Sequence, residues 1–150
     1  MTSDPLAVEF VPAIPGGEIE AHYDEGLGAL LFESRRARTW PYGTTLDGIL
    51  TLDLDADHVL AHGEFGWVRE RWSRAELKLP RREQGRFAAR LPSLTTSSIV
   101  NPPQLTAVMA GRQLVIRFSG PEPAQRFSLG ANIEALACGG KLVGFAVSEL

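Results

Sequence analysis

Gly48-Ile-Leu-Thr-Leu-Asp-Leu-Asp-Ala-Asp-His-Val-Leu-Ala-His-Gly-Glu-Phe65 is the stretch whose reading decides the fold. Leu50, Leu52 and Leu54 alternate with Thr51, Asp53 and Asp55, and a period of two puts the leucines on one side of a strand and the acids on the other. Asp55-Ala-Asp-His58 carries turn chemistry, and Val59 to Phe65 runs back. A two-residue loop pairs Leu54 with Val59 and Leu52 with Ala61, which keeps the apolar side chains of both strands together.

Outward from this hairpin the same grammar recurs. On the N-terminal side, Leu6 to Val11 is an apolar stretch among Pro5, Pro12 and Pro15 and reads as an extended arm or edge strand. Glu18 to Tyr23 alternates polar and apolar residues, Asp24-Glu-Gly26 turns the chain, and Leu27 to Glu33 forms a second strand. Arg35 to Thr45 reads as a loop holding Trp40-Pro-Tyr-Gly43. On the C-terminal side, Phe87 to Leu91 is a strand and Leu94 to Gln104 a connection. Strands are then expected at Leu105–Ala110, Arg112–Ser119, Gln125–Leu136 with a bend at Gly130, and Lys141–Glu149, the last entered through a Gly139-Gly140 turn.

Residues 67–79 fit two patterns. Val68, Trp72, Ala75 and Leu79 make a helical stripe, with Ser73-Arg-Ala-Glu76 as a capping box, while Val68, Glu70 and Trp72 also suit a strand. Hairpins before residue 66 and after residue 105 resemble each other at an offset of 82 or 83 residues, which predicts two β-meander copies, about 18–66 and 105–149. The expected fold is therefore mainly β. It is a single domain over residues 1–150, an antiparallel sandwich or partly closed barrel, with a short helix near 67–79 as an option.

Composition narrows the setting. The only cysteine, Cys138, sits among small apolar residues as a filler, so no intrachain disulfide forms. The start Met-Thr-Ser-Asp-Pro has no secretory pattern and no apolar run is long enough to span a membrane, which points to a cytoplasmic protein. Net charge is −3, but residues 1–66 hold twelve acidic and three basic side chains (−9), and residues 67–150 hold six acidic and twelve basic (+6). Such asymmetry accompanies surfaces that meet charged partners.

Residues 18–66 also resemble a small family of uncharacterised bacterial β-domains. The residues that carry the likeness are Tyr23-Asp24, Leu30-Leu31, Asp53-Leu54-Asp55-Ala56-Asp57 and Glu64. The chain departs from that pattern at Gly28, His58 and His62, where the family has Asp, Gly and Gly. The resemblance implies a fold and no activity.

Site chemistry is sparse. Asp53, Asp55, His58, His62 and Glu64 are expected on the face opposite the leucines, a mix of donor types that suits divalent metals. His62 lies four residues beyond His58, on the order of 13 Å along a strand, so neither metal nor cofactor is expected. No nucleophile elbow, phosphate loop or dinucleotide fingerprint occurs, which argues against an enzyme. The basic run 69–90 is interleaved with Glu70, Glu76 and Glu83, and its Trp67 and Trp72 fit a core, which argues against nucleic acid. What remains is a non-enzymatic protein-binding module. Its expected contact residues are Asp53, Asp55, Asp57, Glu64, Trp40 and Tyr42, and its sharpest version is an immunity or antitoxin-type protein covering a basic toxin. The alternative is a small enzyme or ligand-binding domain with a pocket between the halves, marked by a deep cavity at His22, His58 or His62.

Overall fold

A computed structural model describes residues 4–35, 39–95, 104–118 and 120–148. Thirteen strands occur among them. The first half holds β1 (Glu9–Pro12), β2 (Ile19–Asp24), β3 (Ala29–Ser34), β4 (Tyr42–Leu46), β5 (Leu50–Leu54) and β6 (Leu60–Phe65). A connecting stretch holds β7 (Ser73–Arg74), and β8 (Phe87–Arg90) follows it. The second half holds β9 (Leu105–Ala110), β10 (Gln113–Phe118), β11 (Gln125–Ser128), β12 (Ile133–Cys138) and β13 (Lys141–Val147).

The halves build two sheets with one strand order. The first is β2-β3-β6-β5-β4, and the second is β9-β10-β13-β12-β11 with β7 added beside β9. Position by position these are the same arrangement. The correspondence reaches single residues: Leu50, Asp53 and Leu54 pair with Phe65, His62 and Leu60, while Ile133, Leu136 and Ala137 pair with Val147, Gly144 and Leu142. A register break falls between Asp53 and Leu54 in one hairpin and between Leu136 and Ala137 in the other, 83 residues on. Bulges are specific local features, so the shared position supports a true internal repeat. The repeat unit is not the simple meander that the sequence suggests. Its last strand turns back to pair with its second, as β6 does with β3 and β13 with β10.

The repeats also exchange their arms. Val8 N donates to Gly140 O at the tip of the second repeat's last hairpin, and Leu91 N donates to His58 O at the tip of the first's. Ala7 bridges Lys141 just as Arg90 bridges Val59. Between these contacts the arms pair with each other, β1 antiparallel to β8. Each repeat's arm thus pairs with a hairpin tip of the other repeat.

Both sheets turn their apolar faces to one shared core. Leu50, Leu52, Leu54 and Phe65 from the first and Leu114, Ile116, Ile133 and Phe145 from the second are all fully buried. Burying one such side chain is worth about 1.5–3 kcal/mol. Phe32 and Phe145 meet across the sandwich with ring centroids 5.3 Å apart. Phe32 reaches that position by lying over Gly63, where an added Cβ would come 2.8 Å from its ring and 2.9 Å from Thr51 O. The outcome is a sandwich, not a closed barrel.

Several sequence expectations need correction. The 35–45 loop contains a strand, β4, whose turn into β5 is made by Asp47 and Gly48 at φ 52° and 67°. That Asp-Gly pair is a hairpin signal in its own right. The supposed bent strand 125–136 is a hairpin, β11 to β12, turning at Gly130, which packs so closely on Ile19 O that no side chain fits. The segment 67–79 holds only one 3₁₀ turn, Arg69–Arg71. A helix there would have buried Val68 and Ala75, yet both are exposed. Ser73, the supposed cap, instead joins the sheet beside β9 and donates its hydroxyl to Ala107 O. The connection expected at 94–104 lies mostly outside the described residues.

Candidate functional site

The outward face of the first sheet is fixed by the leucines that point in. Reading across the strands, Glu20, Glu33, His62, Asp53 and Gly43 stand opposite one another in one row. His22, Leu31, Glu64, Thr51 and Thr45 form the next. Four carboxylates therefore share the face, and β2 to β6 contain no lysine or arginine. Glu20 and Glu33, both exposed, are directly paired. Like charges opposite one another destabilise a sheet by roughly 0.2–1 kcal/mol, so stability alone does not favour this arrangement.

One corner of the face is preorganised. Asp53 Oδ2 lies 2.9 Å from His62 Nδ1, a hydrogen bond between directly opposed residues. Trp40 lies flat on the His62 ring, with centroids 4.2 Å apart and planes within 20°. The indole remains 41% exposed, one of few large apolar groups left in solvent among the described residues. A stacked, half-exposed tryptophan beside charges has the character of an interface anchor.

The expected contact residues divide into two groups. Asp53, Glu64 and Trp40 come together on this face. Asp55, Asp57 and Tyr42 do not. The hairpin loop holds three residues, not two, because His58 takes the left-handed conformation (φ 64°) where glycine is usual. The extra residue moves Val59 out of register with Leu54 and places His58 within the loop. Asp55 Oδ1 is occupied by the backbone amides of Asp57 (2.8 Å) and Val59 (3.0 Å), so this carboxylate builds the turn. Asp57 stands exposed at the loop tip, its carbonyl accepting from Arg90 Nε. Tyr42 packs on the core rim and stacks on His58, with centroids 4.0 Å apart. Sequence reasoning missed Glu20 and Glu33, although the alternation Glu18-Ile-Glu-Ala-His already places Glu20 outward.

The equivalent face of the second sheet is built differently. Its rows read Thr106, Arg117, Gly144, Leu136, Arg126 and Val108, Val115, Ala146, Glu134, Ser128. Val115, Leu136, Val143 and Ala146 are buried there in a small second cluster with Leu79. Leu79 belongs to a strap that starts beside β9, where Ala75 N donates to Met109 O, and ends beside β11, where Glu83 N donates to Arg126 O. At its far end Arg82 lies 3.5 Å from the buried carboxylate of Glu134.

Other chemistry is limited. Among the described residues no three His, Cys, Asp or Glu side chains stand close enough to hold a metal ion. Three surface clefts among the described residues are lined without His22, His58 or His62. Trp72 is buried and donates its indole N–H to Trp67 O, and Arg69 and Arg71 lie over Tyr23 and Trp67. These aromatics are thereby engaged within the protein. Among the described residues no helix is long and apolar enough to cross a membrane. No protein-family model matches the chain, and no curated protein matches it.

Proposed function

We propose that the protein is a non-enzymatic binding module that docks an extended, basic polypeptide segment on the outer face of its first sheet. The observation that carries this reading is the internal symmetry. One repeat's outer face is crossed by a polypeptide strap with Arg82 reaching a sheet carboxylate, and among the described residues the equivalent face of the other repeat is uncovered, with Glu20, Glu33 and Glu64 exposed. The fold already contains one solution for covering such a face. A partner segment rich in Lys and Arg would supply the second, meeting Glu20 and Glu33 with charge and Trp40 with apolar stem.

Carboxylates of one sign steer a basic partner over distances comparable with the Debye length, about 8 Å at physiological ionic strength. Association should therefore slow as salt rises, while Trp40 contributes chiefly to residence time. In its sharpest form the partner is a basic toxin and the module an immunity-type protein that occupies it.

The test is selection from a random displayed-peptide library with the full chain as bait. The triple variant Glu20→Gln, Glu33→Gln, Glu64→Gln is run beside it. Enrichment of Lys- and Arg-rich peptides that disappears with the variant is the expected result. Enrichment that the variant leaves intact, or none at all, would overturn the proposal.

A further inference from the structure

At the end of the strap the chain builds a cleft of opposite character, about 620 Å³ in volume. Arg81, Arg82, Arg86 and Arg126 line it, with the backbone of Gly85 between them. Against these four guanidiniums stand two carboxylates, Glu83 on the rim and Glu134 beneath. We propose that this cleft is a binding site for a small, multiply charged phosphoryl anion. The proposal is independent of the acidic face.

The balance of hydrogen bonding supports it. Glu134 Oε1 accepts from Gln113 Nε2 at 3.1 Å, while Oε2 lies 3.5 Å from Arg82 Nη1 and 3.6 Å from Arg126 Nε. Arg126 Nε is buried and makes no hydrogen bond. Its charge is met by the Glu134 carboxylate at ion-pair distance. Arg81 and Arg86 have no carboxylate within 4 Å among the described residues, so both forks are open. Glu134 thus orients two guanidiniums and leaves most of their donors unused, since each carries five.

The scaffold is also pinned. Glu83 N is bonded to Arg126 O on one side of the cleft, and Arg86 O accepts from Ala13 N on the other. Gly85 makes the turn between them at φ 102°, a conformation that a side chain would strain. A lone carboxylate would leave a net positive charge in the cleft, whereas a phosphoryl chain presents several oxygens to several forks, the geometry guanidinium reads best. The volume is that of a small-molecule site.

The experiment is titration of the full chain with sodium tripolyphosphate and with ATP, followed by calorimetry and by amide shifts at residues 81–86 and 126–131. Binding of tripolyphosphate identifies a free oligophosphate ligand. Binding of ATP alone identifies a phosphoryl group on an organic carrier. Either supports the site if Arg81→Ser with Arg86→Ser weakens it by about tenfold or more, the worth of one charge-assisted hydrogen bond. Both positions are exposed, so the variant should fold, and Arg126→Gln provides a second disruption. The Glu20, Glu33, Glu64 variant should bind these anions unchanged. Failure of both probes at millimolar concentration, or affinity indifferent to the arginine variants, would contradict the proposal.

Discussion

Two equivalent sheet faces of this molecule have been put to opposite uses. Where the first sheet has Glu33, the second has Arg117; Asp53 corresponds to Leu136, His62 to Gly144, and Glu64 to Ala146. The second face is apolar at its centre and covered by the chain's own connecting strap, while the first is acidic and exposed. The order of five strands is common to both, so the difference lies in the side chains and in the strap. A repeated fold gives a pair of similar platforms, and a few substitutions decide which is sealed and which stays open to another molecule.

The comparison depends first on the repeats being locked together. Gly130→Ala attacks that lock, because a Cβ there would collide with the backbone oxygen of Ile19, which donates its own N–H to Leu129 O. Overpacking against backbone costs about 3 kcal/mol, and urea denaturation should show this as a lower midpoint. Next, Leu79→Ala loosens the strap. It should cost about 1–2 kcal/mol for a half-buried leucine, and hydrogen exchange at the Ala75 and Glu83 amides should accelerate before the rest of the sheet does.

Smaller effects should have the opposite sign on the open face. Glu33→Gln removes one member of the Glu20 pair and should raise stability by about 0.2–0.5 kcal/mol, while weakening capture of basic peptides. Stability gained where binding is lost is the mark of a functional surface. Smallest is the clasp where the first arm meets the second repeat. Partial burial pushes the Asp4 carboxyl up, but the Leu6 amide and the Lys141 ammonium, 3.1 Å away, outweigh it and hold the group below its ordinary value. A lowered carboxyl stabilises the fold above its unfolded pKa and loses that effect as pH falls through the folded one. Asp4→Asn should therefore cost less than about 0.5 kcal/mol at neutral pH, given the exposure of the pair. The difference from the parent should fade below pH 3.8.

Much of this architecture was legible in the sequence. Alternation at Leu50, Leu52 and Leu54 gave the inward face, and the 82–83 residue offset matches the equivalence of the two sheets. The errors share a cause: local signals do not report what an element packs against. The stripe at 67–79 is as helical as many true helices, but its residues are drawn across a sheet by Leu79 and by the edge of β9. Asp55 looks like a surface acid until the turn claims its carboxylate. His58 in a left-handed position shifts the hairpin register by a residue, and positive φ is uncommon outside glycine. Glu20 and Glu33 lie far from Asp53 in sequence, and only the pairing of β3 with β6 brings them into one row.

The most direct measurement maps where a basic segment binds. A peptide recovered from the displayed library, titrated into the isotopically labelled full chain, should shift the amides of Glu20, Glu33, His62 and Glu64 together with the Trp40 indole. Those shifts should shrink as salt is raised. Shifts confined to the strap and the second sheet, with the first sheet unmoved, would contradict the account.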